Sequence, residues 1–238
     1  MADSDFVPVP VAGLLDPAYL AERAKLLAGD DALPEVAPGS PEYDHALLWA
    51  DDDAIERPST SHVSIVDSFG NVLSMTASIE NAFGSRLMVR GFLLNNQLTD
   101  FSFRSHAGGM AVANRVEPGK RPRSSMAPTI VLRDGRPVLV LGSPGGSRII
   151  GYVAAAIVAW ADWGLDVQQA VALGHGVNRF GRYDLEAGTG AEDLAAGLEA
   201  LGYEVRTGEM NSGLHAISIG ARLRGGADPR REGVALGE

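Results

Sequence analysis

The chain has 238 residues, no cysteine and a formal net charge of −10 at pH 7, and 45% of its residues are hydrophobic. This composition is typical of a globular protein with one sizeable core or two small ones. The lack of cysteine excludes a disulfide framework and a thiol nucleophile. No stretch has the basic start of a signal peptide or the length and apolarity of a membrane span.

The charge is unevenly distributed along the chain. Residues 1–59 contain 13 acidic and 3 basic residues, whereas residues 60–238 contain 17 of each. Seven of the 13 prolines also precede Thr60. The sharpest compositional boundary therefore falls at Thr60, and it predicts an acidic, Pro-rich segment followed by a folded domain. Because no basic face is evident, nucleic acid is not expected as a partner.

The acidic segment carries one predicted helix. Residues 16–27 are predicted to be helical, because Asp16 can cap the first turn and Pro17 is well tolerated within it. Residues 1–13 are interrupted by proline and are predicted to be extended. Residues 28–59 lack hydrophobic periodicity, which predicts a mobile linker.

From Thr60 onward the pattern is typical of strands. Strands are predicted at 61–67, 72–78, 91–94, 128–132, 137–141, 203–206 and 214–219, with a polar loop over 103–120. The Gly70-Asn71 and Asp134-Gly135 dipeptides are typical hairpin turns, so the strands that flank each of them are expected to pair.

Three helices are predicted in the second half of the chain. Residues 148–163 are apolar nearly all round, which predicts a helix buried between layers. Residues 166–173 and 191–201 are two further predicted helices. Because the hairpins come first and the helices follow, the order favours an α+β fold with segregated layers over βαβ units.

Thr60 is the first candidate for chemistry. A threonine hydroxyl needs a base within hydrogen-bond reach before it can act as a nucleophile. If the protein cuts its own Ser59–Thr60 peptide bond, the freed α-amino group of Thr60 supplies that base, with a pKa close to neutral. The alternative is that Thr60 is an ordinary β-branched strand residue.

Gly145 and Gly146, which precede the apolar helix, are the second candidate. Two successive glycines allow backbone N–H groups to face a reacting oxygen, and the start of a helix adds positive potential there. The alternative is a tight strand-to-helix turn. A phosphate-binding loop is not favoured, because its lysine and its glycine spacing are missing.

Two pairs of polar residues form the third candidate. The adjacent hydroxyls of Ser124 and Ser125 can donate to a carboxylate, and Asp100 and Glu80 can pair with an ammonium group. Each of these residues is also compatible with an exposed loop. The five histidines lack the spacing of metal ligands, so neither a metal nor a cofactor is expected.

Taken together, these segments resemble the gamma-glutamyltransferase (glutathione hydrolase) family of N-terminal-nucleophile hydrolases. The matching blocks follow the family's order from residue 60 to the C-terminus. They are Thr60-Ser61-His62 with Asp67 and Gly70-Asn71, Leu94-Asn95-Asn96-Gln97 with Asp100-Phe101, Arg121-Pro122 with Ser124-Ser125-Met126 and Pro128-Thr129, Gly142-Ser143-Pro144-Gly145-Gly146-Ser147-Arg148, and Asp228-Pro229-Arg230.

The resemblance implies an αββα sandwich, in which two antiparallel sheets are covered by helices. It implies that residues 1–59 are the tail of a large subunit with a linker, and that residues 60–238 are the small-subunit catalytic domain. It further implies a zymogen that cleaves itself between Ser59 and Thr60. Thr60 then attacks the γ-amide of glutathione or a related compound, and the γ-glutamyl ester passes to water or to an amino acid or peptide.

The same resemblance implies a role for each candidate residue. Gly145 and Gly146 are expected to form the oxyanion hole, and Ser78 is expected to support the nucleophile. The residues implied to bind the substrate are Glu80, Gln97 and Asp100 for the α-amino group, and Ser124 and Ser125 for the α-carboxylate.

The sequence departs from the family pattern in three places. Glu80 replaces an asparagine, and Ser78 replaces a threonine. Most of the large subunit is missing, including an arginine used on the substrate carboxylate, so the sandwich is expected to be incomplete. Either a separate large-subunit polypeptide or another copy of the chain completes it, or the chain is a fragment with little activity. The family's habit implies a periplasmic or extracellular location, although the chain contains no export signal.

Two other functions stay open at this point. One is an acylase on the same scaffold that acts on glutaryl or cephalosporin-type side chains. Glu80 and Asp100 argue against it, because an acyl group without an ammonium leaves two carboxylates unpaired. The other is a truncated, non-catalytic homologue that acts only as a binding or structural partner.

Overall fold

The computed structural model describes residues 2–42, 49–50, 60–179 and 181–237. Ser59, and with it the predicted cleavage bond, lies outside the described residues, as do residues 43–48 and 51–58 of the predicted linker. The strands are β1 (Thr60–Val66), β2 (Val72–Ser78), β3 (Met88–Val89), β4 (Phe92–Leu93), β5 (His106–Ala107), β6 (Met110–Ala111), β7 (Thr129–Arg133), β8 (Arg136–Gly142), β9 (Gly176–Arg179), β10 (Arg182–Glu186), β11 (Glu204–Gly208), β12 (His215–Ile219) and β13 (Leu223–Ala227). The helices are α1 (Val11–Leu14), α2 (Pro17–Ala24), α3 (Ile149–Ala161), α4 (Val167–Ala172) and α5 (Ala195–Ala200), with 3-10 turns at Lys25–Leu27, Gln97–Asp100, Gly146–Arg148 and Glu192–Leu194.

The described part of the N-terminal segment contains two short helices. α2 begins as predicted, because the Asp16 carboxylate accepts a hydrogen bond from the backbone N–H of Tyr19 at 2.8 Å and so caps the first turn. The prediction that residues 1–13 are extended is wrong at α1. Pro10 lies at the N-cap of α1, where a proline does not interrupt the helical hydrogen bonds.

β1 and β2 form the first predicted hairpin. The strands are antiparallel, and Thr60 lies directly opposite Ser78. The turn is held by Asp67, whose carboxylate accepts from the backbone N–H groups of Phe69 at 2.9 Å and Asn71 at 2.8 Å. The hydrogen bond from the Asn71 side chain, together with these backbone hydrogen bonds, lowers the pKa of Asp67. The register therefore places the first residue of β1 beside the last residue of β2.

The largest sheet has four antiparallel strands in the order β13-β12-β8-β7. It includes the second predicted hairpin, β7 and β8, around the Asp134-Gly135 turn. Both residues of this turn have positive φ, 52° at Asp134 and 75° at Gly135, as a tight hairpin turn requires. β8 is the central, most buried strand, and it leads directly into the Gly145-Gly146 turn.

Helices cover one face of this sheet and the β1–β2 hairpin covers the other. Leu139 and Leu141 of β8 pack in the main hydrophobic core with Tyr152 of α3. On the opposite face, the Ser74 hydroxyl of β2 donates to the Leu141 carbonyl at 2.9 Å, and the Ser64 hydroxyl of β1 donates to the backbone carbonyl of His215 in β12 at 3.3 Å. The layers are therefore helices, four-stranded sheet and hairpin, which fits the predicted α+β class.

α3 has an exposed side, which corrects the prediction of a helix buried all round. Ile149 and Val153 are buried in the core, whereas Ile150 is 58% exposed and Trp163, just beyond the helix, is 61% exposed. The apolar content of the helix was therefore a poor guide to burial, because in this chain only one side of the helix packs against the sheet.

Several small strands were not predicted. The polar loop expected over 103–120 contains the two-residue hairpin β5–β6. A three-stranded sheet, in the order β11-β10-β9, contains a parallel pair between β10 and β11. β9 and β10 lack the apolar alternation of an ordinary strand, and charged residues such as Asp184 and Glu186 are buried there against arginines.

His62 and His175 are buried histidines that affect stability. Burial lowers the pKa of His62 to about 4, with a smaller contribution from His215. Burial likewise lowers the pKa of His175 to about 4, helped by the Arg230 charge. In the unfolded chain a histidine titrates near 6.5. The unfolded state therefore binds more protons between pH 6.5 and pH 4, and stability falls as the pH drops through that window.

We predict that His62→Gln weakens this pH dependence. Between pH 7 and pH 4.5, the free energy of unfolding should fall by about 2 kcal/mol less in the variant than in the wild type. Urea denaturation at the two pH values measures the difference. His106→Gln is the matched control, because His106 is exposed and its replacement should leave the pH dependence unchanged. Identical pH profiles for His62→Gln and the wild type would contradict the prediction.

Candidate active site

Thr60 is held at the open end of the β1–β2 hairpin. Its side chain is nearly buried, at 7% exposure for the residue, and its hydroxyl donates to the Ser78 hydroxyl at 3.2 Å. The Ser78 oxygen also accepts from the backbone N–H of Glu80 at 2.9 Å. The Thr60 carbonyl accepts from Arg231 Nη1 at 2.9 Å. Thr60 is therefore fixed through both its side chain and its backbone.

A cleft of about 280 Å³, including space open to solvent, lies beside the Thr60 side chain. It is lined by nearly all of the residues that the sequence predicted for the site, together with Met126 and Ile149. The lining residues are Thr60, Ser78, Glu80, Gln97, Asp100, Ser124, Ser125, Met126, Gly146 and Ile149. Residues from five separate parts of the chain thus meet at one place.

Gly145 and Gly146 form the turn between β8 and α3. Gly146, with φ of 59°, lines the cleft, whereas Gly145 is buried behind it and does not. Gly145 has φ of 139°, and a Cβ atom there would lie 2.7 Å from the ring of Tyr152. Glycine is therefore required at 145 by both backbone conformation and packing. The turn precedes the start of α3, where unpaired N–H groups are positive.

One wall of the cleft is acidic. Glu80 and Asp100 are 2% and 4% exposed. Asn96 Nδ2 donates to Glu80 Oε2, and Gln97 Nε2 donates to Asp100 Oδ2. Within the part of the chain that the structure describes, Glu80 Oε1 is buried without a hydrogen-bond partner. Glu80 also has φ of 70°, a conformation that is uncommon outside glycine and asparagine. Two buried carboxylates at one cleft suit a cationic ligand.

The other wall carries the two serines. Ser124 is exposed and Ser125 is partly buried. The Ser124 oxygen accepts from the backbone N–H of Met126 at 3.1 Å, which leaves its hydroxyl hydrogen available to an acceptor such as a carboxylate. The segment is anchored upstream by Arg121, whose side chain pairs with the buried Asp3 carboxylate at 2.8 Å.

Arg231, which contacts Thr60, and its partner Asn211 were not predicted from the sequence. Arg231 Nε donates to Asn211 Oδ1 at 2.7 Å while its Nη1 holds the Thr60 carbonyl. Arg231 lies directly after the Asp228-Pro229-Arg230 block. The block indicates that this part of the chain matches the family pattern, but it does not predict the contact of Arg231 with Thr60. No pattern in the sequence indicates a contact between residues 171 positions apart.

A buried polar network lies behind the glycine turn. The Ser212 hydroxyl donates to Asp228 Oδ2 and contacts His175 Nε2 at 2.6 Å. The Asp228 carboxylate also pairs with Arg230 at 3.0 Å. The His175 ring stacks on Tyr152 with their centroids 4.1 Å apart. Because Tyr152 packs against Gly145, this network supports the turn that carries Gly146.

Among the described residues, no three His, Asp or Glu side chains cluster closely enough to bind a metal ion. None of the helices in the described ranges has both the length and the apolarity that crossing a membrane requires.

Comparison with known proteins assigns the family. The model of the family described as Gamma-glutamyltranspeptidase matches residues 1–238. The chain belongs to this family.

Two curated relatives and one solved structure illustrate the similarity. The chain is 37% identical to the glutathione hydrolase proenzyme of Bacillus subtilis strain 168, over 99% of this chain and 41% of that protein. It is 34% identical to the acylase ACY 1 proenzyme of Pseudomonas sp. strain SE83, over 99% of this chain and 40% of that protein. The chain thus spans about two fifths of the length of these relatives.

The solved structure is that of the gamma-glutamyltranspeptidase from Pseudomonas nitroreducens complexed with L-DON. Its TM-score to this chain is 0.66 at 37% identity, and the match covers 74% of this chain and 98% of that chain. The similarity confirms the predicted α+β fold of the N-terminal-nucleophile type. The roles of the individual cleft residues stay predictions.

We predict that Gly145→Ala displaces the turn beside Thr60. The added methyl would meet the Tyr152 ring at 2.7 Å in a backbone conformation that alanine disfavours, and the cost should be about 1–3 kcal/mol. Thermal unfolding monitors this loss. Gly190→Ala is the control, because a Cβ at Gly190 meets nothing within 4 Å. Equal melting temperatures for the two variants would refute the assignment of Gly145 as a sterically required glycine.

Proposed function

We propose that this chain carries the catalytic part of an autoprocessing gamma-glutamyl transferase/hydrolase. Its substrates are glutathione and related γ-glutamyl compounds, and Thr60 is the nucleophile. The proposal rests on one observation above others. The hydroxyl of Thr60 opens onto a cleft that carries two buried carboxylates and a pair of serines.

The first step of the proposal is cleavage of the chain before Thr60. The Thr60 hydroxyl attacks the carbonyl carbon of Ser59, the C–N bond breaks, and an ester replaces the amide. The proton of the hydroxyl passes to the nitrogen, which becomes the free α-amino group of Thr60. Water then hydrolyses the ester, which releases Ser59 as a carboxylate and restores the Thr60 hydroxyl. The Ser78 hydroxyl, 3.2 Å from Thr60 Oγ1, is placed to orient the attacking oxygen. The word proenzyme in the relatives' names supports a processing step of this kind.

The length of the solved homologue also supports this cleavage position. Residues 60–238 are 179 of the 238 residues, or 75% of the chain. The chain of the Pseudomonas nitroreducens structure is matched over nearly its whole length by 74% of this chain. A division into a segment 1–59 and a catalytic domain 60–238 accounts for this agreement.

Turnover would use the freed α-amino group as the base. The amine takes the proton of the Thr60 hydroxyl while the oxygen attacks the γ-carbonyl carbon of the substrate. The negative oxygen that develops would be stabilised by the backbone N–H of Gly146, which lines the cleft, and by that of Gly145 directly before it, as the start of a helix favours. The leaving amine departs with the proton, and the γ-glutamyl ester on Thr60 then passes to water or to an acceptor amine.

The two walls of the cleft suit the two charges of a γ-glutamyl group. Glu80 and Asp100 would pair with the α-ammonium, while Ser124 and Ser125 would donate to the α-carboxylate. The buried, unpartnered Glu80 Oε1 is satisfied when an ammonium binds. Glu80 thus adds a second negative charge to the ammonium side of the cleft.

An acylase is the second candidate, because the chain is also 34% identical to an acylase proenzyme. A glutaryl group has no ammonium, so its binding would leave Glu80 and Asp100 buried beside an uncharged carbon. That arrangement costs several kcal/mol when charges stay unpaired. The acidic wall therefore favours a γ-glutamyl substrate over a glutaryl one.

We further propose that a second polypeptide completes the sandwich. This is a large-subunit chain or another copy of this chain. The outward face of the β1–β2 hairpin supports this, because Ile65, Leu73 and Met75 are each more than 40% exposed there. Exposed apolar side chains on a two-stranded hairpin are normally covered by a partner layer.

The processing step is tested on the purified chain, alone and with the complementing family polypeptide added. Mass spectrometry should detect a new N-terminus at Thr60, and Thr60→Ala should abolish its formation. Hydrolysis of a γ-glutamyl chromogen by the processed wild type should be faster than that by the uncleaved Thr60→Ala variant by roughly 10³-fold or more. An intact chain in both mixtures, or hydrolysis unaffected by Thr60→Ala, would instead favour a non-catalytic homologue.

The substrate assignment is tested at Glu80. Glu80→Gln should raise KM for a γ-glutamyl chromogen by about 10- to 100-fold, because one charge-assisted hydrogen bond to the ammonium is weakened. The matched control is Glu199→Gln, on the exposed side of α5, which should leave KM unchanged. Faster hydrolysis of a glutaryl chromogen than of the γ-glutamyl one by the wild type would support the acylase instead.

A further inference from the structure

Asn114 connects the two walls of the cleft without lining it. Its side chain is completely buried, with 0% exposure for the residue. Asn114 Nδ2 donates to the backbone carbonyl of Asp100 at 2.8 Å, and Asn114 Oδ1 accepts from the backbone N–H of Arg123 at 3.0 Å. One amide group therefore bridges the acidic wall and the residue next to Ser124.

The backbone of Asn114 strengthens the link on the acidic side. Its carbonyl accepts from the N–H of Ser102 at 2.9 Å, two residues beyond Asp100. The Asp100–Ser102 segment is thus held by both the side chain and the main chain of Asn114. A displacement of Asn114 would move this segment with it.

The serine wall is held from two sides. Upstream, Arg121 is fixed by Asp3 through its backbone N–H at 2.9 Å and its guanidinium at 2.8 Å. Downstream, Asn114 fixes the backbone of Arg123. Asp3 thus anchors the segment to the N-terminal part of the chain, while Asn114 anchors it to the opposite wall. Only the second link bears directly on the width of the cleft.

The width matters because of the chemistry of the ligand. In an α-amino acid the ammonium and the carboxylate are attached to one carbon, so the separation of the two charges is fixed. Groups that bind both charges must keep a matching separation, and a misplacement of about 1 Å can cost as much as 100-fold in rate. An amide that donates to one wall and accepts from the other meets this need, because it supplies both hydrogen-bond types in one rigid group.

We propose that Asn114 is a positioning residue that sets the spacing of the ammonium-binding and carboxylate-binding walls, and thereby the selectivity for α-amino acid groups. This inference rests on the proposed γ-glutamyl activity. Asn114 itself is not among the residues that line the cleft.

Stability alone cannot test this role. Any change at a buried, doubly hydrogen-bonded asparagine lowers the stability of the fold. A loss of folded protein, however, reduces kcat/KM for every substrate by the same factor. A change in spacing instead reduces kcat/KM for a zwitterionic γ-glutamyl chromogen more than for a glutaryl chromogen, which has no ammonium to place. The ratio of the two kcat/KM values therefore isolates the positioning role.

The test measures this ratio in the processed protein for the wild type, Asn114→Asp and Asn114→Ser. Asn114→Asp keeps the shape but replaces the donor to the Asp100 carbonyl with an oxygen, so the ratio should fall at least tenfold. Asn114→Ser can reach one wall but not both and should give a smaller fall. If Asn114→Asp does not fold, the comparison of Asn114→Ser with the wild type still tests the inference.

Ser212→Ala is the control for stability. Ser212 is as buried as Asn114 and makes two side-chain hydrogen bonds, but it belongs to the network behind Tyr152. Its replacement should lower stability and leave the ratio unchanged. If the ratio of kcat/KM for the γ-glutamyl chromogen to that for the glutaryl chromogen is well above one in the wild type and stays so in the folded Asn114 variants, the inference about Asn114 is wrong and the proposed function stands. A wild-type ratio at or below one would overturn the proposed γ-glutamyl function, and the inference with it.

Discussion

The pairing of Thr60 with Ser78 is the constraint on which the site depends. Antiparallel register places these two residues at the open end of one hairpin, where their hydroxyls meet at 3.2 Å. The hairpin lies on the four-stranded sheet, and β8 of that sheet runs into the Gly145-Gly146 turn. A slip of one residue in the hairpin would turn Thr60 to the other face and away from the glycines. Register therefore determines which hydroxyl faces the cleft.

The sequence predicted the composition of the cleft better than its architecture. Thr60, Asp100 and the serine pair meet at the cleft as expected, because each belongs to a short block of recognisable residues, and Glu80 meets them although it departs from the family pattern. The hairpins were predictable because their turns are local, as at Asp134-Gly135. Short-range patterns of this kind are encoded in a few adjacent residues and survive without tertiary information.

The contacts that were missed are all between distant parts of the chain. Arg231 reaches the Thr60 carbonyl, and Asn114 bridges Asp100 and Arg123. No periodicity or spacing in the sequence predicts these contacts, because the side chains bind backbone atoms whose positions depend on the tertiary fold. The exposed side of α3 was missed for a related reason. The apolar pattern of a helix indicates which residues can be buried, whereas the layers present in the chain decide which ones are.

The acidic wall explains why the cleft needs so much support around it. Glu80 and Asp100 are buried, and Glu80 adopts a positive φ, so the acidic wall is costly in both solvation and backbone strain. Asn96, Gln97 and Asn114 offset part of this cost with hydrogen bonds that also hold the carboxylates in place. Under the proposed function, the substrate ammonium would pair with the Glu80 oxygen that has no hydrogen-bond partner among the described residues. Under the proposed function, the carboxylates would already be held in place before the ligand binds, and the amides that hold them would also contribute to the selectivity for an ammonium.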